Sequence, residues 1–409
     1  MSLLKRIALF ASSLVLAAPL CAQDIAVHAE LLLPVSGPPI ENGVVLVRAG
    51  KIAAIGPADS TPIPAGVRTL TARVVTPGLI DAHTVIGLAG YLNQDQDQDQ
   101  HDPTAPIQPE LRAIDAYNAR ERLVEWVRGF GVTTIHTGHG PEALISGQTM
   151  IAKTRGGTVA QAVIVPHAMI AATLGAASRR EGKGKSPGTA GKQLALLREA
   201  LIGARGYQDK LKAAGDDGTK RPDRDLRQEA LLGLLEGQTP LLITAHRHQD
   251  IASALRLAEE FGLRMVLDGA SEAYLMLDEI RAAGVSVIAH PPMARFTGEL
   301  ENGSRTTPKK LVDAGILMTL QSGYESYVPK TRVVLYEAAI AAAHGLGPAG
   351  ALQSITLDAA RILGLEKRLG SLEIGKDGDL ALYDGDPFEY TTHCVGTVIE
   401  GEVVFEGVR

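Results

Sequence analysis

Val74-Val-Thr-Pro-Gly-Leu-Ile-Asp-Ala-His83-Thr-Val85 is the stretch on which the fold turns. An apolar segment breaks at Pro77-Gly78 and resumes as a short strand pattern over 78–83 that delivers a histidine at its C-terminal end. Upstream, Gly43-Val-Val-Leu-Val runs into the turn signal Ala49-Gly50 and continues as Lys51-Ile-Ala-Ala-Ile-Gly56. Far downstream the same texture returns. Asp379-Leu-Ala-Leu-Tyr383 follows a turn-rich entry, and Val398-Ile-Glu-Gly-Glu-Val-Val-Phe405 reads as a hairpin around Gly401. Two strand-rich tails, 23–75 and 365–409, therefore predict one small β-sandwich domain formed from both chain ends.

Between the tails, over 76–364, strand and helix patterns alternate. Strands are expected at 78–83, 132–136, 241–246, 264–268, 285–290 and 316–320, with two more inside 147–175. Helical periodicity separates them at 111–129, 193–214, 250–261, 272–283 and 333–344. Repeated strand–helix–strand units mean a parallel sheet. Eight strands over this length, with no Gly-x-Gly-x-x-Gly after the first, predict an α/β fold of the (β/α)8 TIM-type barrel class. Active sites in such barrels sit at the C-terminal strand ends. Four of the predicted strands end in histidine: His83, His136, His246 and His290.

The ends and the charge bound the setting. Lys5 and Arg6 precede a 14-residue apolar run ending at Leu20, and Cys21-Ala22 supplies small residues for a cut. This is a signal-peptide pattern over 1–22, too short to span a bilayer, and it predicts a periplasmic or secreted protein with no membrane attachment after cleavage. Cleavage leaves Cys394 alone, so no internal disulfide forms. Without Lys5 and Arg6 the chain carries 38 basic and 46 acidic residues, and no long basic cluster, which argues against nucleic acid as a partner. Gln94-Asp-Gln-Asp-Gln-Asp-Gln100 reads as a solvated loop rather than a Ca2+ loop, since it lacks the glycine turn and the terminal glutamate.

Val74 to His83 closely resembles the first-strand signature of the amidohydrolase superfamily. Gly370-Ser-Leu-Glu-Ile-Gly-Lys-Asp-Gly-Asp-Leu380 and Ile355-Thr-Leu-Asp-Ala-Ala-Arg-Ile-Leu-Gly364 resemble its later blocks. The likeness is greatest to the imidazolonepropionase-like branch. It implies a hydrolase of non-peptide carbon–nitrogen or related bonds, in which a divalent metal lowers the pKa of a bound water to supply hydroxide. It also implies a ligand set: two histidines one residue apart after strand one, a histidine from each of strands five and six, and an aspartate after strand eight. A lysine or glutamate from strand four can bridge a second metal.

Carried over residue by residue, that set is mostly missing. His83 and His246 stand at ligand positions, whereas Val85, Ala176, Gly269 and Gly323 occupy positions where donors are expected. Asp268, beside Gly269, is expected to face the helix layer. His248, two residues past His246, is a possible third ligand if the strand stays extended. A mononuclear hydrolytic zinc site has three protein ligands. The cofactor expectation is thus none, or one weakly bound divalent metal, zinc foremost. His139 and Tyr324 are pocket candidates. Three functions remain open: a hydrolase with reduced or rebuilt metal chemistry, an inactive small-molecule-binding or partner subunit (pseudoenzyme), and a metal-free lyase or isomerase using histidine pairs such as His136 with His290. The expected partner is a small molecule, with a homo-oligomer or a homologous active subunit also possible.

Overall fold

The protein is described by a computed structural model covering residues 24–92, 94–180, 182, 185–324 and 333–407. The expected signal peptide lies outside the described residues. Among the described residues seventeen strands run in chain order. β1 (Ile25–Leu32), β2 (Ile40–Arg48), β3 (Lys51–Pro57) and β4 (Arg68–Pro77) come first. β5 (Leu79–Thr84), β6 (Val132–Thr137), β7 (Ile145–Gln148), β8 (Met150–Lys153), β9 (Val163–Val165) and β10 (Ile170–Thr173) follow. β11 (Leu241–Ala245), β12 (Met265–Gly269), β13 (Ser286–Ala289) and β14 (Met318–Leu320) lead to β15 (Leu380–Tyr383), β16 (Cys394–Ile399) and β17 (Glu402–Glu406).

The two tails do meet. They form one continuous seven-stranded sheet in the order β17-β16-β15-β4-β1-β2-β3, where a β-sandwich was expected. β15, from the C-terminal tail, pairs antiparallel with β4, from the N-terminal one. Ile25, Val27, Val45, Val47, Leu380 and Leu382 bury one face of that sheet.

The middle of the chain is TIM-barrel-like. β10 to β14 pair in parallel in sequence order, and β5 pairs in parallel with β6. A parallel bridge between Thr84 and Gly323 joins the β14 end to β5 and closes the ring. The stretch from β7 to β8 is a single stave that changes partners. β8 lies against β6 and β7 against β10, both antiparallel. An all-parallel ring was the expectation. Only a short loop without a helix separates β6 from β7, and a parallel return needs a crossover of a dozen or more residues. The helix expected over 111–129 is also split, into Ala113–Ala116 and Arg122–Arg128. Asn118 interrupts it by accepting the Arg120 N–H at 3.0 Å.

Side-chain parity sorts the ring into an inside and an outside. Leu242, Val266 and Ile288 pack inside the ring with Ile80, Ala82 and Ile151. Their neighbours Leu241, Ile243, Met265, Leu267 and Val287 belong to the larger cluster shared with the helices. Two residues further along each strand, the inner row becomes polar: Thr244, Asp268 and His290. A buried ion cluster ties ring to sheet. Lys153 Nζ lies 3.3 Å from Asp377 Oδ2 and also bonds Asp379. Asp377 is held in addition by Lys51 at 2.5 Å and Arg368 at 2.9 Å. No helix among the described residues is long and apolar enough to cross a membrane.

Candidate functional site

A cavity of about 80 Å3 opens at the C-terminal ends of the strands, lined by His83, Thr244, His246, Asp268, His290 and Gln321 together with Val85, Leu300 and Tyr324. His246, Asp268 and His290 reach it by ordinary alternation from Leu242, Val266 and Ile288. His83 does not. Ile80 and Ala82 already face the interior, so strict alternation would send His83 outward. A register irregularity between Asp81 and Thr84 re-aims it into the mouth.

His83 Nδ1 donates to Asp268 Oδ1 at 2.9 Å. Asp268 is held from two further sides, accepting from Gln321 Nε2 at 2.9 Å and from Thr244 Oγ1 at 2.6 Å. Burial pushes the Asp268 carboxyl up, but the His83 charge and the hydrogen bonds outweigh it and hold it below the usual carboxylate range. Burial pushes the His83 imidazole down, and the Asp268 carboxylate more than reverses this, raising it. With Nδ1 committed, Nε2 is the nitrogen left for chemistry. His246 Nδ1 lies 3.0 Å from Ser271 Oγ, and burial lowers its pKa, so this imidazole is neutral. Its ring meets that of His290 edge-on, with centroids 5.2 Å apart. His290 Nδ1 donates to the Pro291 carbonyl at 2.9 Å.

Asp268 is a correction: it faces His83, not the helix layer. β12 parity explains this, because Met265 and Leu267 are the residues that pack against the helices. His136 is also inside the ring, but it is fully buried and does not line the cavity. Its Nδ1 donates to the Ala82 carbonyl and its Nε2 meets Thr149 Oγ1, each at 2.6 Å. Burial pushes it down to about 3. Both nitrogens are taken, so the pairing of His136 with His290 as acid and base does not form. His248 fails as a third ligand because the strand ends at Ala245 and His248 opens the helix His248–Phe261. Its Nδ1 pairs with Glu272 at 2.8 Å instead. His139 is buried beside Gly147, with Nδ1 unpartnered among the described residues, and burial pushes it down to about 4. Tyr324 lines the cavity, and its hydroxyl accepts from Gln100 Nε2 at 3.4 Å. Gln100, from the alternating tract expected to be solvated, is itself buried. Thr244 and Gln321, which hold Asp268, were not singled out by sequence. Their inward parity was the available signal.

The fit of a divalent metal can be tested on this geometry. Val85 lines the cavity with no donor atom. Gly269 has φ +75°, and a Cβ there would lie 2.6 Å from His246 Cε1. Gly323 has φ +70°, and its Cβ would lie 2.9 Å from Pro291 Cγ. Ala176 offers a backbone N–H, which donates to Glu299. Asp268 already accepts three hydrogen bonds. Among the described residues no three His, Cys, Asp or Glu side chains form a group able to hold a metal ion. Positions 85, 176, 269 and 323 thus supply no side-chain donor, and the donors that remain at the cavity are His83, His246, His290 and Asp268.

Comparison with known proteins follows the same lines. A sequence profile described as "Amidohydrolase family" matches residues 343–405. The solved structure of an amidohydrolase from Thermotoga maritima MSB8 superposes with a TM-score of 0.88 at 27% identity, covering 94% of this chain and 100% of that one. An imidazolonepropionase from Sphingopyxis alaskensis is 24% identical over 400 residues, 86% of this chain and 88% of its own length. Amidohydrolase tasK of Hapsidospora irregularis is 24% identical over 89% of this chain, which spans only 40% of that longer protein.

Proposed function

The chain belongs to the amidohydrolase superfamily, on its imidazolonepropionase-like branch, and we propose that it hydrolyses a non-peptide carbon–nitrogen bond by histidine general-base chemistry instead of metal-bound hydroxide. The observation that carries this reading is the His83–Asp268 contact of 2.9 Å, with Thr244 and Gln321 fixing the carboxylate. A carboxylate on Nδ1 selects the tautomer whose Nε2 lone pair can take a proton, and it stabilises the imidazolium that results.

In this reading His83 Nε2 takes a proton from water as the water oxygen attacks the carbon of an amide or amidine. The same proton then passes to the departing nitrogen, so the C–N bond breaks and His83 returns to its neutral form. The neutral His246 imidazole, which also lines the cavity, donates a hydrogen bond from Nε2 to the oxyanion that develops on an amide when Ser271 donates to Nδ1. The small cavity favours a compact substrate. Export from the cytoplasm belongs to the proposal too, and rests on the leader pattern at Lys5 to Ala22.

The test is hydrolysis of a panel of cyclic amides, imidazolones and aminopurines by chelator-dialysed protein. Slow turnover that survives dialysis, and falls by roughly 10²–10⁴-fold in His83→Ala, is expected for a positioned general base. Turnover that appears only on adding metal refutes the proposal. Tight binding of a panel member without turnover favours the pseudoenzyme.

A further inference from the structure

Away from the mouth, one face of the molecule carries a run of aromatic side chains that reaches from the core edge at Phe130 out to solvent. Trp126, 43% exposed, stacks edge-on with Phe130 at 5.1 Å between centroids. Phe130 in turn meets Tyr336, also 43% exposed, at 5.6 Å. Phe405 from β17 and Tyr91 join Trp126 around an open groove. Leu92 next to Tyr91 is 63% exposed, and Tyr390, which neighbours Tyr336, is 96% exposed. The chain has a single tryptophan and few aromatics in total, so this concentration on one surface is informative. Contiguous exposed apolar patches with aromatics at their centre mark protein interfaces.

The charges identify the occupant. Arg122 and Glu125 flank Trp126 on the exposed side of the helix Arg122–Arg128. Among the described residues neither has an ion-pair partner, although they are three apart on a helix. Arg112–Asp115, Lys220–Asp217 and Arg281–Asp278, at the same spacing, do pair. Arg122 instead lies over the Tyr91 ring at 4.9 Å. Arg122, stacked on Tyr91, and Glu125, three residues along the helix, put a cation and an anion beside the apolar surface, a pattern complementary to itself when rotated by 180°.

We propose that this face is a two-fold interface between copies of the chain. The helix Arg122–Arg128 lies antiparallel to its symmetry mate, each Arg122 facing the other copy's Glu125. Trp126 then covers the first turn of the opposite helix. At roughly 200 Å2 per aromatic side chain, the exposed portions give an area on the order of the ~800 Å2 per partner seen in standard interfaces.

Sedimentation velocity of the full-length protein and four variants tests this. Wild type is expected to be a dimer at micromolar concentration, and Trp126→Glu a monomer. Arg122→Glu and Glu125→Arg, each creating a like-charge contact, are expected to weaken dimerisation roughly tenfold or more. The double variant Arg122→Glu/Glu125→Arg restores opposite charges across the axis and is expected to regain wild-type dimerisation. Both charges are exposed, so these variants test the contact even if Trp126→Glu fails to fold. A wild-type monomer at tens of micromolar, single reversals without effect, or a double variant as weak as either single one would overturn the assignment.

Discussion

His83 Nδ1 and Asp268 Oδ1, 185 residues apart in sequence, lie 2.9 Å apart at the mouth of the ring, on strands that are not neighbours in it. Two further donors fix the carboxylate, so the contact is a constructed one. Replacing Asp268 separates its two roles. Asp268→Ala leaves His83 Nδ1 and Thr244 Oγ1 without this acceptor and Gln321 Nε2 with the Ile288 carbonyl at 3.3 Å, and each buried group left unmatched costs about 1–3 kcal/mol. Asp268→Asn keeps the shape but cannot stabilise an imidazolium. The expected outcome is a clear loss of thermal stability for Asp268→Ala. For Asp268→Asn a smaller loss is expected, with turnover reduced by on the order of 10²-fold or more. Calorimetry beside steady-state rates checks this; an asparagine variant with wild-type turnover would remove Asp268 from the mechanism.

Rebuilding the family's ligand set is expected to fail. Gly269 and Gly323 both adopt left-handed backbone, at φ +75° and +70°. A side chain there costs about 1–2 kcal/mol in backbone strain alone. At 269 the new Cβ would also displace the His246 ring, one of the two donors such a site would use. The variant Val85→His/Gly269→His/Gly323→Asp should therefore melt below wild type by several degrees and bind zinc no more tightly in a dye-competition titration. A folded triple variant with one tightly held zinc would show that the backbone relaxes more readily than its φ values imply.

The ion cluster between ring and sheet sets an acid limit on stability. Burial pushes the Asp377 carboxyl up, but Lys153, Lys51 and Arg368 outweigh it and hold it below the usual range. A carboxylate with a depressed pKa in the folded state stabilises the fold above its unfolded pKa, and that stability is lost as pH falls through the folded value. Lys153→Met leaves two buried carboxylates short of a cation, at a cost of about 3–5 kcal/mol. Acid unfolding followed by circular dichroism should move to higher pH in this variant. An unchanged midpoint would mean that Lys51 and Arg368 suffice.

The family and the tail-to-tail assembly were legible because they depend on local signals: turn glycines, alternating apolar residues, and a Pro-Gly break before a strand ending in histidine. The site was legible only in part. His246, named as a ligand position, His290, named as an acid–base candidate, and Tyr324, named as a pocket residue, all line the cavity, since strand-end positions are local. Asp268 was misplaced by one residue of register, and a one-residue slip reverses every side chain on a strand. His136 and His248 look like ligands in a sequence. The short β6–β7 connection buries the first beside Thr149, and an early helix start turns the second toward Glu272. Both outcomes depend on partners distant in the chain.

Glu299 offers the most direct view of how the cavity is covered. It sits on a 3-10 turn, Gly298–Leu300, whose Leu300 lines the cavity. Its carboxylate accepts the backbone N–H of Ala176, and that of Ala177 at 3.4 Å, across the mouth from strand β10. Arg247 holds the same turn through the Gly298 carbonyl at 3.3 Å and Glu301 at 3.2 Å. A hydrogen bond to a charged group contributes about 1.5–3 kcal/mol, so removing the Glu299 contacts should raise the open population of this loop roughly tenfold or more. Glu299→Ala should speed amide exchange at Ala176, Ala177 and the 298–303 segment, with little change at β11 and β12. If the loop gates entry, compact ligands should also bind faster, with equilibrium affinity less affected. Exchange rates at Ala176 and Ala177 equal to wild type would show that the turn is held by Arg247 and its own packing, and that Glu299 is not the latch.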